Sequence, residues 1–351
     1  METAVKPIIK NDRILKALRR EPVDCTPVWV MRQAGRYLPE YRETRQKAGN
    51  FMALCHDAEL ACEVTLQPLR RFTLDAAILF SDILTIPWLL ERNLRFEAGR
   101  GPLLDAMDHP LDINAQLIAS LEDKLSPVGD AVRLTRKKLS TDKALIGFAG
   151  APWTLVTYMA EGGSSRDFAK AKSWLWLARA QTKALFSLLE EAVIRLLVLQ
   201  ARAGADVLML FDSWAGAVPD ALREDFVINP AIRIIDGVRD QGIAQPIICF
   251  PKGLGEGLHG FADQVPCQGL GIDQHTNLAW AAENLPENLV LQGNMDPLAV
   301  AAGGAPMRAE LDRILAAMAG RSHIFNLGHG FVPHTPVENV AELTQLVRER
   351  G

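Results

Sequence analysis

"SWLWLARAQTKALFSLLEEAVIRLLVLQARAGADVLMLFD", residues 173–212, decides how the fold is read. The first part has a helical pattern, and Gly204 closes it as a helix-ending glycine should. "ADVLMLFD" (205–212) then runs apolar on both sides of a pleat, as a strand buried on both faces must. Working outward, runs of the same kind recur at "TPVWVM" (26–31), "AAILFSD" (76–82), "ALIGFAG" (144–150), "PIICF" (246–250), "GLGID" (269–273), "LVLQGN" (289–294) and "HIFNLGHG" (323–330). With residues 205–212 these make eight, each followed by a helical pattern or by room for one. The pattern predicts an α/β fold, a single-domain (β/α)8 TIM barrel over residues 1–351 with a short N-terminal tail and helix. A doubly wound open sheet also alternates in this way. The count of eight, and the lack of a GxGxxG turn after the first strand, favour the barrel.

Finer signals mark the element ends. Asn11 is the predicted N-cap of an amphipathic helix on which Ile14, Leu15 and Leu18 share one face. Asp296-Pro297 predicts a helix start. Thr335, Pro336 and Glu338 predict a capping box opening the last helix, whose Arg348 reads as a surface residue. Segment 83–143 is long for one βα unit and predicts extra structure, including the turn "EAGRGPLLD".

Composition narrows the class. Hydrophobic residues make up 48% and charged residues 23% of the 351-residue chain, which is ordinary for a globular protein. No run approaches the roughly 18–20 apolar residues of a membrane span, and the N-terminus has no signal-peptide pattern. The formal net charge of −4 speaks against general nucleic-acid binding. Five cysteines without a CxxC pair read as reduced thiols, so a cytoplasmic location is expected.

In a barrel, chemistry gathers at the C-terminal ends of the strands. The residues just past the predicted strands are Arg32 and Arg36; Ser81 and Asp82; Ala151 to Tyr158; Asp212 and Ser213; Lys252; Asp273; Asn294 and Asp296; and His329. Positive charge is densest in "MRQAGRYLPEYRETR" (31–45), which holds Arg32, Arg36, Arg42 and Arg45. Such a segment is either a solvated face or a set of planar guanidinium forks for a polyanionic ligand, since guanidinium pairs with carboxylate bidentately. Asp82 reads either as a helix N-cap or as an acceptor for several N–H donors. Tyr158 and His329 each have a purely structural reading beside a ligand-binding one, and Ser213 reads equally as a helix cap. HExxH, CxxC, GxSxG and Walker A templates are absent.

"PVWVMRQAGRYLPEYRETR", "FSDIL", "GFAGAPWTLVTYMAEGG", "LQGNMDP" and "NLGHG" together closely resemble the uroporphyrinogen decarboxylase family, from about residue 10 to the C-terminus. The resemblance implies a homodimeric barrel that works without metal or organic cofactor. Its substrate would be the polyanionic cyclic tetrapyrrole uroporphyrinogen, whose four acetates become the methyl groups of coproporphyrinogen in haem and chlorophyll synthesis. It further implies Asp82 and Arg32 as catalytic residues. Substrate contacts would come from Arg32, Gln33, Ala34, Gly35, Arg36, Asp82, Tyr158, Ser213 and His329, and Arg45 falls in the matching stretch. The loop "FPKGLGEGL" after the fifth strand is less regular than the family pattern, and no role is carried over there. Two competing readings are a zinc-dependent corrinoid or thiol methyltransferase of a related barrel, which would want a His-x-Cys pair that this chain lacks, and a non-catalytic tetrapyrrole carrier.

Overall fold

The computed structural model describes residues 12–97 and 100–351. Seven parallel strands form one sheet in the order β1 (Ala76–Ile78), β4 (Ala144–Gly150), β5 (Val207–Asp212), β6 (Ile247–Pro251), β7 (Gly269–Gly271), β8 (Val290–Gln292) and β9 (His323–Ile324). The antiparallel hairpin of β2 (Arg95–Glu97) and β3 (Gly101–Leu103) stands apart, within the long segment predicted to carry extra structure. The same segment also carries the helices Thr85–Leu89, Ala115–Ala119, Leu121–Lys124 and Ser126–Lys138.

Alternation along the strands sorts their side chains into two cores. Ile146 and Phe148 of β4, Val207, Met209 and Phe211 of β5, and Ile248 and Phe250 of β6 pack together on the inner side of the curled sheet. Ile14 and Leu18 from the helix Arg13–Leu18 belong to the same inner cluster. The intervening Leu145, Leu208, Leu210, Ile247 and Cys249 face the surrounding helices in the larger core. Period-2 alternation between two apolar environments is why these strands read as apolar on both sides.

The predicted strand 26–31 is not a ladder strand. It makes one parallel bridge, Val28 to Phe325, with Phe325 N–H donating to Pro27 O at 2.9 Å. On its other side Asp75 N–H donates to Val28 O at 2.8 Å. The segment's own donors go largely to side chains: Val28 N–H to Asp75 Oδ2 (2.8 Å), Val30 N–H to Gln33 Oε1 (3.3 Å) and Met31 N–H to Asn326 Oδ1 (3.0 Å). Trp29 Nε1 donates to Gln292 Oε1 at 2.8 Å. Side-chain acceptors thus replace the backbone partners that a continuous ladder would need.

Other expectations are corrected locally. The stretch 173–204 is two helices, Ala169–Leu177 and Arg179–Ala203, because Ala178 leaves helical geometry at φ −127° and ψ 39°. Gly204, at φ +122°, does close the second. Asp296 caps Pro297–Ala302 through Leu298 N–H as predicted. The capping box at the last helix does not form: Pro336 is the N-cap of Val337–Arg350, and the Thr335 hydroxyl donates back to Val332 O instead. Asn11 lies outside the described residues.

Arg348 is not a free surface residue. Its Nη2 meets Asp75 Oδ1 at 2.9 Å, and Arg13 Nη1 meets the same oxygen at 3.2 Å. Asp75, 1% exposed, therefore ties the first and last helices to the segment holding Val28. Removing one partner of a buried charged cluster costs more than the cluster itself contributes, because charge and donors are left behind. Asp75→Ala is expected to lower unfolding stability by about 3–5 kcal/mol in urea titrations. Arg313→Ala, which breaks a surface pair to Glu310, should cost no more than about 1 kcal/mol. Equal losses would contradict the role given to Asp75.

Candidate active site

Inward-facing aromatics at the C-terminal ends of three neighbouring strands make an apolar wall. Phe148 meets Phe211 edge-on at 5.5 Å between centroids, and Phe211 meets Phe250 likewise at 6.0 Å. They line a cavity of about 990 Å³. Arg32, Ala34, Gly35, Arg36, Asp82, Tyr158, Ser213 and His329 line it too, so one cavity gathers these candidates from five separate stretches of chain. Gln33 does not. It is fully buried, its Oε1 accepting from Val30 N–H and its Nε2 donating to Ala76 O at 3.2 Å, so its side chain stitches the Val28 segment to β1 rather than facing a ligand.

The arginine segment divides by role. Arg32, Arg36 and Arg45 line the cavity. Arg42 instead donates to Arg36 O (2.8 Å) and Tyr37 O (3.2 Å), bracing the turn that carries Arg36. Tyr37 Oη donates to Gln33 O at 2.6 Å and tightens the same turn. Arg45 lies over the Phe51 ring at 5.2 Å, and Phe51 packs edge-on against Phe96 of β2 at 4.4 Å. The hairpin that contributes Phe96, Glu97, Gly101 and Pro102 to the cavity wall is thereby linked to the arginines.

Asp82 follows β1. Its Oδ1 accepts from Leu84 N–H at 2.8 Å, while Leu84, not Asp82, is the N-cap of Thr85–Leu89. Burial raises its carboxyl from 3.8 to about 6; the Leu84 N–H and the positive Arg32 oppose that rise. Above about pH 6 the group is charged. His329 moves the other way. Burial, and then the Arg32 and Lys252 charges, lower it to about 4. At neutral pH it is an uncharged imidazole, able to hydrogen-bond but without a proton to give as an imidazolium. Burial also raises the Tyr158 phenol, which stays protonated as a donor. Tyr158 stands 6.5 Å from Trp214 between ring centroids, and Lys252 lies 5.6 Å above the other partner of that pair, the Trp214 ring.

Ser81 also lines the cavity, whereas Asp212, Asp273 and Asn294 serve the framework. Asp212, raised to about 7 by burial, accepts from Thr154 Oγ1 at 2.6 Å. Asp273 accepts from Gly253 N–H and His275 N–H, and Asn294 Nδ2 donates to Asp273 O and Thr276 O. The irregular loop after β6 is held through that Gly253 contact. The aromatic wall was not singled out from sequence, and the turn of the hairpin was predicted only as extra structure, not as part of the cavity wall. The signal for the wall was available: Phe148, Phe211 and Phe250 each sit near the C-terminal end of their strands. Among the described residues no three His, Cys, Asp or Glu side chains form a group that could hold a metal ion.

Comparisons with known proteins agree with this geometry. The family model "Uroporphyrinogen decarboxylase (URO-D)" matches residues 9–350. A uroporphyrinogen decarboxylase from Rhodospirillum rubrum is 47% identical over 334 residues, covering 95% of this chain and 96% of its own length. One from Pseudomonas aeruginosa is 48% identical over 346 residues, covering 97% of each. Among solved structures, a methyltransferase from Methanosarcina mazei superposes with a TM-score of 0.78 at 19% identity, covering 98% of this chain and 99% of its own, which is a likeness of fold alone. With a family match spanning nearly its whole length, the chain belongs to the uroporphyrinogen decarboxylase family.

Proposed function

We propose that the chain removes the four acetate carboxyls of uroporphyrinogen III as CO2, giving coproporphyrinogen III, without metal or organic cofactor. The observation that carries this reading is Asp82, a carboxylate just past β1 in a chamber that also presents Arg32, Arg36 and Arg45. At about 990 Å³ the chamber is at the top of the roughly 300–1,000 Å³ range of small-molecule pockets, a size suited to a macrocycle. Uroporphyrinogen carries four acetates and four propionates, so guanidinium forks have carboxylates to meet.

Decarboxylation needs a place for the electron pair of the breaking C–C bond, and other enzymes borrow a cofactor for it. A pyrrole provides its own. Protonation of the ring carbon beside the acetate-bearing carbon makes a cationic ring. CO2 leaves, and the bonding pair flows toward the ring nitrogen, giving an exocyclic methylene. Protonation of that CH2 yields the methyl group, and loss of the ring-carbon proton restores the pyrrole; the net change is one proton taken up for one CO2 released. Asp82, charged above about pH 6, accepts from the pyrrole N–H groups and stabilises the cation. Arg32, permanently charged, acts at the reacting carboxylate. Neutral His329, Tyr158 and Ser213 complete the polar contacts, and the Phe148–Phe211–Phe250 wall packs on the macrocycle.

The reading includes one domain, a closed eight-stranded (β/α)8 barrel, a homodimer and a cytoplasmic location. The Val28–Phe325 bridge and the Asp75 N–H bond to Val28 O support closure, with 26–31 as the eighth, side-chain-stitched stave. No described helix is long and apolar enough to cross a membrane.

Anaerobic incubation with uroporphyrinogen III, then chromatography of the oxidised products, should show hepta-, hexa- and pentacarboxylate intermediates and then the tetracarboxylate. Unchanged substrate would overturn the function. For the arginines, Arg36→Lys should lower kcat/KM by about one to two orders of magnitude, because lysine keeps the charge but not the fork. Arg313→Lys, on the surface, should change it little. Like behaviour of the two variants would remove Arg36 from the substrate contacts.

A further inference from the structure

The two glycines flanking His329 do different work. A Cβ on Gly328 would stand 2.1 Å from the backbone nitrogen of Gln274, so that glycine serves the approach of two loops. A Cβ on Gly330 would meet no backbone first. It would stand 2.3 Å from Cδ, 2.4 Å from Cγ and 2.9 Å from Nε of Arg32. The arginine stem therefore runs directly across the bare Cα of Gly330. At its other end, Arg32 is held in left-handed backbone geometry at φ +59°, a region that non-glycine residues occupy only when their surroundings impose it. The bond from Phe331 N–H to Met31 O (3.3 Å) fastens the two segments together beside this crossing. A long side chain with many rotamers is thus given one track by a strained backbone on one side and an absent methyl on the other.

We propose that Gly330 is a positioning residue for the decarboxylation: by lacking a side chain it keeps open the track along which Arg32 reaches the cavity, and so sets where the guanidinium meets the substrate carboxylate. The proposal rests on the assignment of Arg32 to the substrate made above. Gly330 contributes no chemistry of its own. It acts through Arg32, so its effect must vanish when the Arg32 side chain is removed, which a merely structural glycine would not do.

Gly330→Ala, Arg32→Ala and the double variant, each in the full chain, test this by steady-state kinetics with uroporphyrinogen and by thermal unfolding. Gly330→Ala is expected to lower kcat/KM on the order of 10- to 100-fold, the scale of a misplaced catalytic group. Arg32→Ala should lose at least as much, and the double variant no more than Arg32→Ala. Thermal unfolding supplies a readout independent of turnover: Gly330→Ala should lower Tm with Arg32 present and leave it unchanged in the Arg32→Ala background. Near-wild-type turnover of Gly330→Ala beside a damaged Arg32→Ala overturns the positioning role alone. So do equal Tm losses in both backgrounds, or a double variant that fails to fold. Near-wild-type turnover of Arg32→Ala overturns the assignment of Arg32 itself, and this inference with it.

Discussion

The bond between Val28 N–H and the buried Asp75 carboxylate is the constraint on which the rest depends. Segment 27–33 has to bend out of sheet geometry almost at once to present Arg32, Ala34, Gly35 and Arg36 to the cavity. A full backbone ladder would hold it straight. Side-chain acceptors from Asp75, Gln33 and Asn326 satisfy its donors one at a time, so the segment is fixed in place while its backbone departs from the strand, with Arg32 already in left-handed geometry. Arg13 and Arg348 converge on the same carboxylate from the two ends of the chain. Local order at the arginines thus rests on contacts made tens to hundreds of residues away.

Charge in the cavity is arranged by sign and by depth. The protein is acidic overall, yet its arginines are concentrated at one place, because orienting carboxylates takes forks at fixed positions and not a diffuse field. Asp82 stands in the same chamber as a carboxylate whose burial makes its charge costly. One N–H bond and the field of Arg32 offset part of that cost. A cationic ring formed during the reaction would offset more, so the site is complementary to the proposed intermediate more than to the resting substrate. The low value of His329 comes first from burial, and the Arg32 charge that favours ionised Asp82 adds to it by disfavouring an imidazolium.

Much of this was legible in the sequence, for physical reasons. Strands buried on both faces announce themselves by apolar runs, and seven of the eight predicted runs are strands of one parallel sheet. The eighth, 26–31, has the same composition, but its donors are taken by Asp75, Gln33 and Asn326, which no local pattern reveals. The Gln33 side chain, carried over with the family motif, is turned away from the cavity for the same reason: its partners Val30 N–H and Ala76 O are not visible in a local pattern. Arg348 looked like a surface charge because its partner lies 273 residues away. Phe148, Phe211 and Phe250 were hidden in plain apolar runs, since a wall and a core have the same residues. Which glycine serves the backbone and which serves Arg32 is a matter of ångströms, and a GHG motif cannot express it.

The central claim is that the Asp82 charge carries the reaction. Its most direct test is the single-turnover rate of Asp82→Asn at neutral pH, with folding verified by thermal unfolding. Asparagine keeps the shape, removes the charge and sets an NH2 group against the pyrrole N–H groups. The account predicts an intact fold and a rate lower by on the order of 100- to 1,000-fold, the scale of losing one preorganised electrostatic contact. A folded variant that turns over at close to the wild-type rate would contradict it.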